Sequence, residues 1–211
     1  AFFASAVYPV YTDVTDVFSP QAQAGTVTAD ATTQHAEDGL SWTSLRAAAG
    51  NGANDAATTM PITINDRETA GVGFKVDSAA MMSLNTGPTI PAANTISAAS
   101  MTMKVTAKTS PKDLNELNIV MAGNTGTWTE SIVGSDFDTR DASASSTVYS
   151  DYVLYGEIAA NEDEYFKLNA TAIATIAKGS GNCTSGNCTR FSLQSHLDMA
   201  NSPTPVTIDN S

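Results

Sequence analysis

The chain has 211 residues and sets 22 acidic against 10 basic side chains, for a formal net charge of −12 and a pI near 4.3. That field repels phosphate backbones and anionic lipid, which argues against nucleic-acid binding and charge-driven docking on membrane surfaces; no apolar run reaches the roughly 20 residues that span a bilayer. Only 15% of residues are charged, so Ser, Thr, Asn and Gly dominate the surface, and the length fits one β-rich domain with a terminal extension.

Residues 1–17 form the most strand-like stretch of the chain, with Phe2, Phe3, Val7, Tyr8, Val10, Tyr11, Val14 and Val17 apolar and no basic side chain. Pro9 interrupts it and cannot donate a ladder hydrogen bond, which predicts a break or an edge register there. The sequence opens on Ala with no basic segment before it, as expected of a mature chain whose signal peptide has been removed. Residues 18–36, "FSPQAQAGTVTADATTQHA", read as a polar connector holding His35, and residues 37–211 as the main domain.

Within that domain the dominant period is two. "LSWTSL" and "MPITIND" are short strand pieces, with Trp42 expected in the core. "AGVGFKVD" sets Val72, Phe74 and Val76 on one face, and "SMTMKVTAK" separates Met101, Met103, Val105 and Ala107 from Thr102, Lys104, Thr106 and Lys108, the signature of a half-buried antiparallel strand. "ELNIVMAG" offers Leu117, Ile119 and Met121, "STVYSDYVLYGEI" is a long strand candidate apolar on both faces, and "FSLQSHL" adds Phe191 and Leu193. Loops rich in Gly, Pro and Asn punctuate these runs, predicting an all-β jelly-roll sandwich. One helix is predicted, opened by Asn169 as N-cap, with Ile173, Ile176 and Ala177 at helical spacing and Gly179 as its stop.

Cys183 and Cys188 lie in a Gly-, Ser- and Thr-rich loop with no His at ligand spacing, which favours a hairpin disulfide over a free pair or a metal site and points to an oxidising compartment. Asn169, Asn182 and Asn187 each begin an Asn-x-Thr sequon and are N-glycosylation candidates. Asp136 and Asp138 in "GSDFDTRD" are the first candidates for a structural calcium site, although neither that loop nor "GNGAND" has calcium-loop spacing. No cofactor is otherwise expected. His35 and His196 are far apart, and the GxSxG and HExxH patterns are absent, so the chain reads as a non-enzyme. Trp128 and the row Tyr149, Tyr152 and Tyr155 are the aromatic residues a sugar could stack on, against the simpler reading of burial.

The stretches "IPAANTISAASMTMKVTAK", "IVGSDFDTR", "YFKLNATAIATIAKG" and "TRFSLQSHLDM" together resemble the jelly-roll domain of the DNRLRE-type group of exported proteins, over residues 38–209. The shared motifs are structural, so the resemblance implies a fold and leaves function open. Members of that group close with a further apolar strand after the segment matching "SPTPVTIDNS", where this sequence ends. A strand in surplus at one end and a strand expected at the other lead to one expectation: residues 1–17 act as a donor strand for a neighbouring, identical subunit and build an extracellular, pilus-like or sheath-like homopolymer. The alternative is a monomeric carbohydrate-binding or adhesive cell-surface module whose first strand folds back on itself, with glycans as partners.

Overall fold

The computed structural model describes residues 30–54, 60–62, 64–66, 74–108, 118–123, 132–140, 147–181, 183 and 186–200. The donor-strand candidates Phe2, Phe3, Val7, Tyr8, Val10, Tyr11, Val14 and Val17 lie outside the described residues, as do Trp128 and Asn182.

The fold is all-β. Strands β1 (Asp30–Leu40), β2 (Gly52–Asn54), β3 (Ile64–Asp66), β4 (Phe74–Leu84), β5 (Ser100–Lys104), β6 (Asn118–Ala122), β7 (Val153–Leu154), β8 (Asp163–Lys167) and β9 (Thr189–Ser195) are joined by three short helices, α1 (Trp42–Ala47), α2 (Ala170–Thr175) and α3 (His196–Ala200), and by a 3-10 turn at Gly134–Arg140. Seven strands form an antiparallel sheet in the order β2-β1-β4-β9-β6-β7, and β3 pairs with the first half of β4 on the side that β9 occupies further along. β5 and β8 form a second, two-stranded sheet.

Residues 147–154 run beside β6 and link the two sheets. Val148 bridges Ala122 at the end of β6, while Ser150 bridges Leu168 just after β8. "STVYSDYVLYGEI" is therefore not the long strand its composition predicts: its pairing with β6 is broken between Val148 and Val153, leaving only Val153–Leu154 as regular strand, and its side chains separate accordingly. Tyr149 is buried edge-on against Phe191 with ring centroids 5.8 Å apart, whereas Tyr152 is 51% exposed and Leu154 40% exposed.

The small sheet covers one face of the large one. Ala80, Met82 and Leu84 of β4, Ile119 and Met121 of β6, and Phe191 and Leu193 of β9 meet Phe166 of β8, Leu168, and Ala172 and Ile176 at α2 in one continuous core. Each fully buried Phe or Met there contributes about 1.5–3 kcal/mol from removal of apolar surface from water. α2 begins as the sequence predicts, with Asn169 Oδ1 accepting from the Ala172 amide at 3.0 Å, but it ends at Thr175, so that Ile176 is its C-cap.

The opposite face of the large sheet is covered by helical segments. "LSWTSL" is part of this cover rather than a strand. Ser41 Oγ accepts from the Ser44 amide and caps α1, and Trp42 and Leu45, three residues apart, point the same way into a small core. Trp42 is 5% exposed, buried as expected but from a helix. On the same face Met81 packs with Ala31 and Ile132, and Val120 and Ala122 pack with Met199 of α3. The last seven residues of the stretch read as a connector, 30–36, are the first part of β1.

Candidate strand-docking edges

Among the described residues the larger sheet ends at β2 and β7, the smaller one has β5 and β8 as its two edges, and β3 is paired on one side only; each presents backbone groups that no described strand pairs. Such an edge is a template for an added strand, so its chemistry decides what it can accept.

β5 follows the predicted alternation, with Met101 and Met103 half-buried between exposed Ser100, Thr102 and Lys104. Its hydrogen bonds to the β8 side are made by the odd-numbered residues: Ala99 O accepts from Leu168 N at 3.0 Å, Val105 N donates to Glu162 O at 2.9 Å, and Val105 O accepts from Asn161 N at 2.6 Å. In an antiparallel pair alternate residues point their N–H and C=O groups in opposite directions, so Ser100, Thr102 and Lys104 direct theirs away from β8. Met101, Met103 and Val105 rest on the main core yet stay only half covered, as do Met60, Ile62 and Ile96 against the same core. Beyond β5, Lys108 Nζ donates to the carbonyls of Tyr155 and Ile158 and lies 4.4 Å from the centre of the Tyr155 ring, which ties the end of this edge to the turn after β7. No motif in the sequence marks Lys108 for this role.

β7 is only two residues long, and its neighbourhood is aromatic. Tyr152 meets His196 edge-on at 6.1 Å, and the imidazole Nδ1 accepts from the Asn118 amide at 3.1 Å, where β6 begins. Only an unprotonated nitrogen can accept there, and burial pushes the His196 pKa below its ordinary value. Burial also raises the pKa of the Tyr155 phenol. β2 offers Gly52, Ala53 and Asn54, with no apolar row. A recess of about 360 Å³ beside it is lined by Gly50, Asn51, Gly52, Ala53, Ile132, Val133 and Gly134, which supply no nucleophile, acid or base.

The remaining predicted sites fall as follows. Cys183 and Cys188 are joined by a disulfide with Cα atoms 4.4 Å apart, in a loop whose glycines Gly179, Gly181 and Gly186 all take positive φ. Asn169 is exposed, but its Nδ2 donates to Val148 O at 2.7 Å while its Oδ1 caps α2. Asn187 Nδ2, the atom a glycan would be attached to, donates to the carbonyls of Lys178 at 3.3 Å and Ser180 at 3.2 Å and presses against Gly87, where an added Cβ would meet it at 2.5 Å. Asp136 Oδ2 accepts from the Val133 amide at 2.8 Å at the start of the 3-10 turn, and the side chain of Asp138 lies outside the described residues. No group of three or more His, Cys, Asp or Glu placed to hold a metal ion occurs among the described residues.

The structure does not bring His35 and His196 into a shared site. His35 is buried in β1 with Nδ1 2.7 Å from Ala49 O and Nε2 3.3 Å from a Glu37 carboxylate oxygen, a link between β1 and the loop after α1. Sequence reasoning also missed the buried ion pair that joins the two helices of the covering layer: Arg46 Nε donates to Asp198 Oδ1 at 2.9 Å, with the side chains 3% and 2% exposed. Its partners are 152 positions apart in the chain, beyond the reach of any local pattern.

No protein-family model, no curated protein and no solved structure matches this chain.

Proposed function

We propose that this protein is a structural subunit of an extracellular filament, a jelly-roll-like domain that passes its N-terminal segment, residues 1–17, to an edge of a neighbouring identical subunit. The observation that carries the reading is a β-sheet system left open at its ends among the described residues, in a chain that also holds a long apolar segment outside them. An open edge beside partly covered apolar side chains costs free energy until a strand fills it, and a strand supplied by a second copy makes a head-to-tail contact that propagates. The disulfide supports residence in an oxidising, extracellular setting.

Negative-stain electron microscopy of the natively purified full chain, beside a form lacking residues 1–17, tests this. Filaments from the full chain that vanish on truncation are the expected result; discrete monomers from the full chain would overturn it.

A second reading has its own observation. Tyr165 on the outer face of β8 is 60% exposed and Tyr152 51% exposed, and exposed aromatic faces are what a carbohydrate-binding module offers a sugar ring. Monomers that bind a glycan array, and lose binding with Tyr165→Ala, would favour it.

A further inference from the structure

We infer that the acceptor for residues 1–17 of the neighbouring subunit is the outer edge of β5, and that the donor docks antiparallel with Val10, Thr12 and Val14 set against Val105, Met103 and Met101. The inference rests on the filament reading above.

Of these open edges, β5 combines backbone that no described strand pairs with a row of half-covered apolar side chains on the main core, whereas the core-facing Phe166 of β8 is already buried and β3 has only Ile64 as an apolar residue. β7 is too short to template a strand, and β2 has only Ala53 to offer an apolar partner. The occupant follows from the donor's own sequence. Residues directly opposite in an antiparallel pair share a face, so three alternate donor residues must complement Met101, Met103 and Val105.

Val10, Thr12 and Val14 do so and send Tyr11, Asp13 and Thr15 to the outer face, opposite Lys104, Thr102 and Ser100, where the Tyr11 ring can lie along the Lys104 stem. In this register the donor residues that hydrogen-bond to β5 are Tyr11, Asp13 and Thr15, and Pro9, which has no N–H, falls opposite Thr106, past the end of β5. Sliding two residues one way puts Pro9 opposite Lys104, where a donor is needed. Sliding two the other way buries Asp16 against Met101. A shift of one residue with Pro9 inward leaves Tyr8 and Val10 on the solvent face. The chosen register also sets Asp13 diagonal to Lys104, an opposite-charge pair in a subunit of net charge −12.

Cysteine trapping in assembled full-length protein tests this, because both native cysteines are already spent in one disulfide. Thr12→Cys with Met103→Cys occupies a pair without mutual hydrogen bonds, where side chains come closest; Asp13→Cys with Thr102→Cys is a fully exposed second pair that leaves the core untouched. The expected result is a ladder of covalent oligomers from filaments carrying either pair, collapsing to monomer on reduction, with no ladder when Thr12→Cys is combined with Ala53→Cys or Leu154→Cys.

Intact filaments that cross-link only through Ala53→Cys or Leu154→Cys, or through none of these pairs, overturn the β5 assignment while the filament reading stands. Absence of filaments, or a link confined to a single chain, overturns the filament reading itself. An independent check is charge exchange: Lys104→Glu is expected to raise the critical concentration for assembly about two- to fivefold and Asp13→Lys to restore it. An unchanged critical concentration in both variants counts against the register.

Discussion

At the scale of single residues, the buried charges carry the sharpest consequences. Arg46 and Asp198 sit in the layer between α1 and α3 with almost no access to water, so neither can be left alone. Asp198→Ala is expected to cost about 3–5 kcal/mol in urea unfolding, while Arg46→Met combined with Asp198→Leu recovers most of that loss, because the penalty arises from an unpaired buried charge. His196 makes stability depend on pH. Its imidazole is held neutral in the fold, where burial lowers its pKa and Nδ1 accepts from Asn118, so the unfolded chain binds the proton more readily. Stability contributed by this residue is complete above the ordinary histidine pKa of about 6.5 and declines as pH falls from there toward the lower folded-state value. The urea midpoint should therefore drop between pH 7 and 5, and His196→Asn, which keeps an acceptor and removes the titration, should flatten that part of the profile.

At the scale of elements, close backbone approach and covalent closure decide what can change. The loop between α1 and β2 passes so near the 3-10 turn that a Cβ at Gly50 would lie 2.1 Å from Gly134 O and 2.3 Å from Phe137 Cβ. Since one of those atoms is backbone, Gly50→Ala is expected to destabilise by at least about 1–3 kcal/mol, measured by thermal or urea unfolding, as the turn is pushed off the sheet. The disulfide spans a separation of five residues. Closing so short a loop removes little chain entropy, so the Cys183→Ser, Cys188→Ser double variant should lose about 2 kcal/mol and keep its fold by circular dichroism. Element type was legible where one period dominated: β5 alternates as its sequence does, and Asn169 caps α2. It was misread where tertiary contacts overrule the local pattern. "LSWTSL" alternates like a strand, but Ser41 can cap a helix and Trp42 and Leu45 match a helical face equally well; the choice falls to the helix because that face covers the back of β1 and β4.

At the scale of the molecule, charge opposes self-association. Copies of a chain of net charge −12 repel one another, and with a screening length near 10 Å at 0.1 M salt that repulsion is largely removed at physiological ionic strength. If the filament reading holds, assembly followed by light scattering accelerates as salt rises from about 10 mM to 150 mM, and again as pH is lowered toward the pI near 4.3, opposite in sign to the loss of subunit stability through His196.

The sequence by itself determined what depends on near neighbours: the antiparallel, all-β character, the half-buried face of β5, the cap of α2 and the Cys183–Cys188 pair, each set by period, turn chemistry or a five-residue spacing. Tertiary structure alone decided which strands lie side by side, that residues 147–154 link the two sheets through Ser150 and Leu168, that Arg46 finds Asp198, and which sheet edges stay open among the described residues. Those outcomes join residues up to 152 positions apart, and the free energy that selects them comes from burying both faces of one sheet at once, a quantity no local stretch of the chain contains.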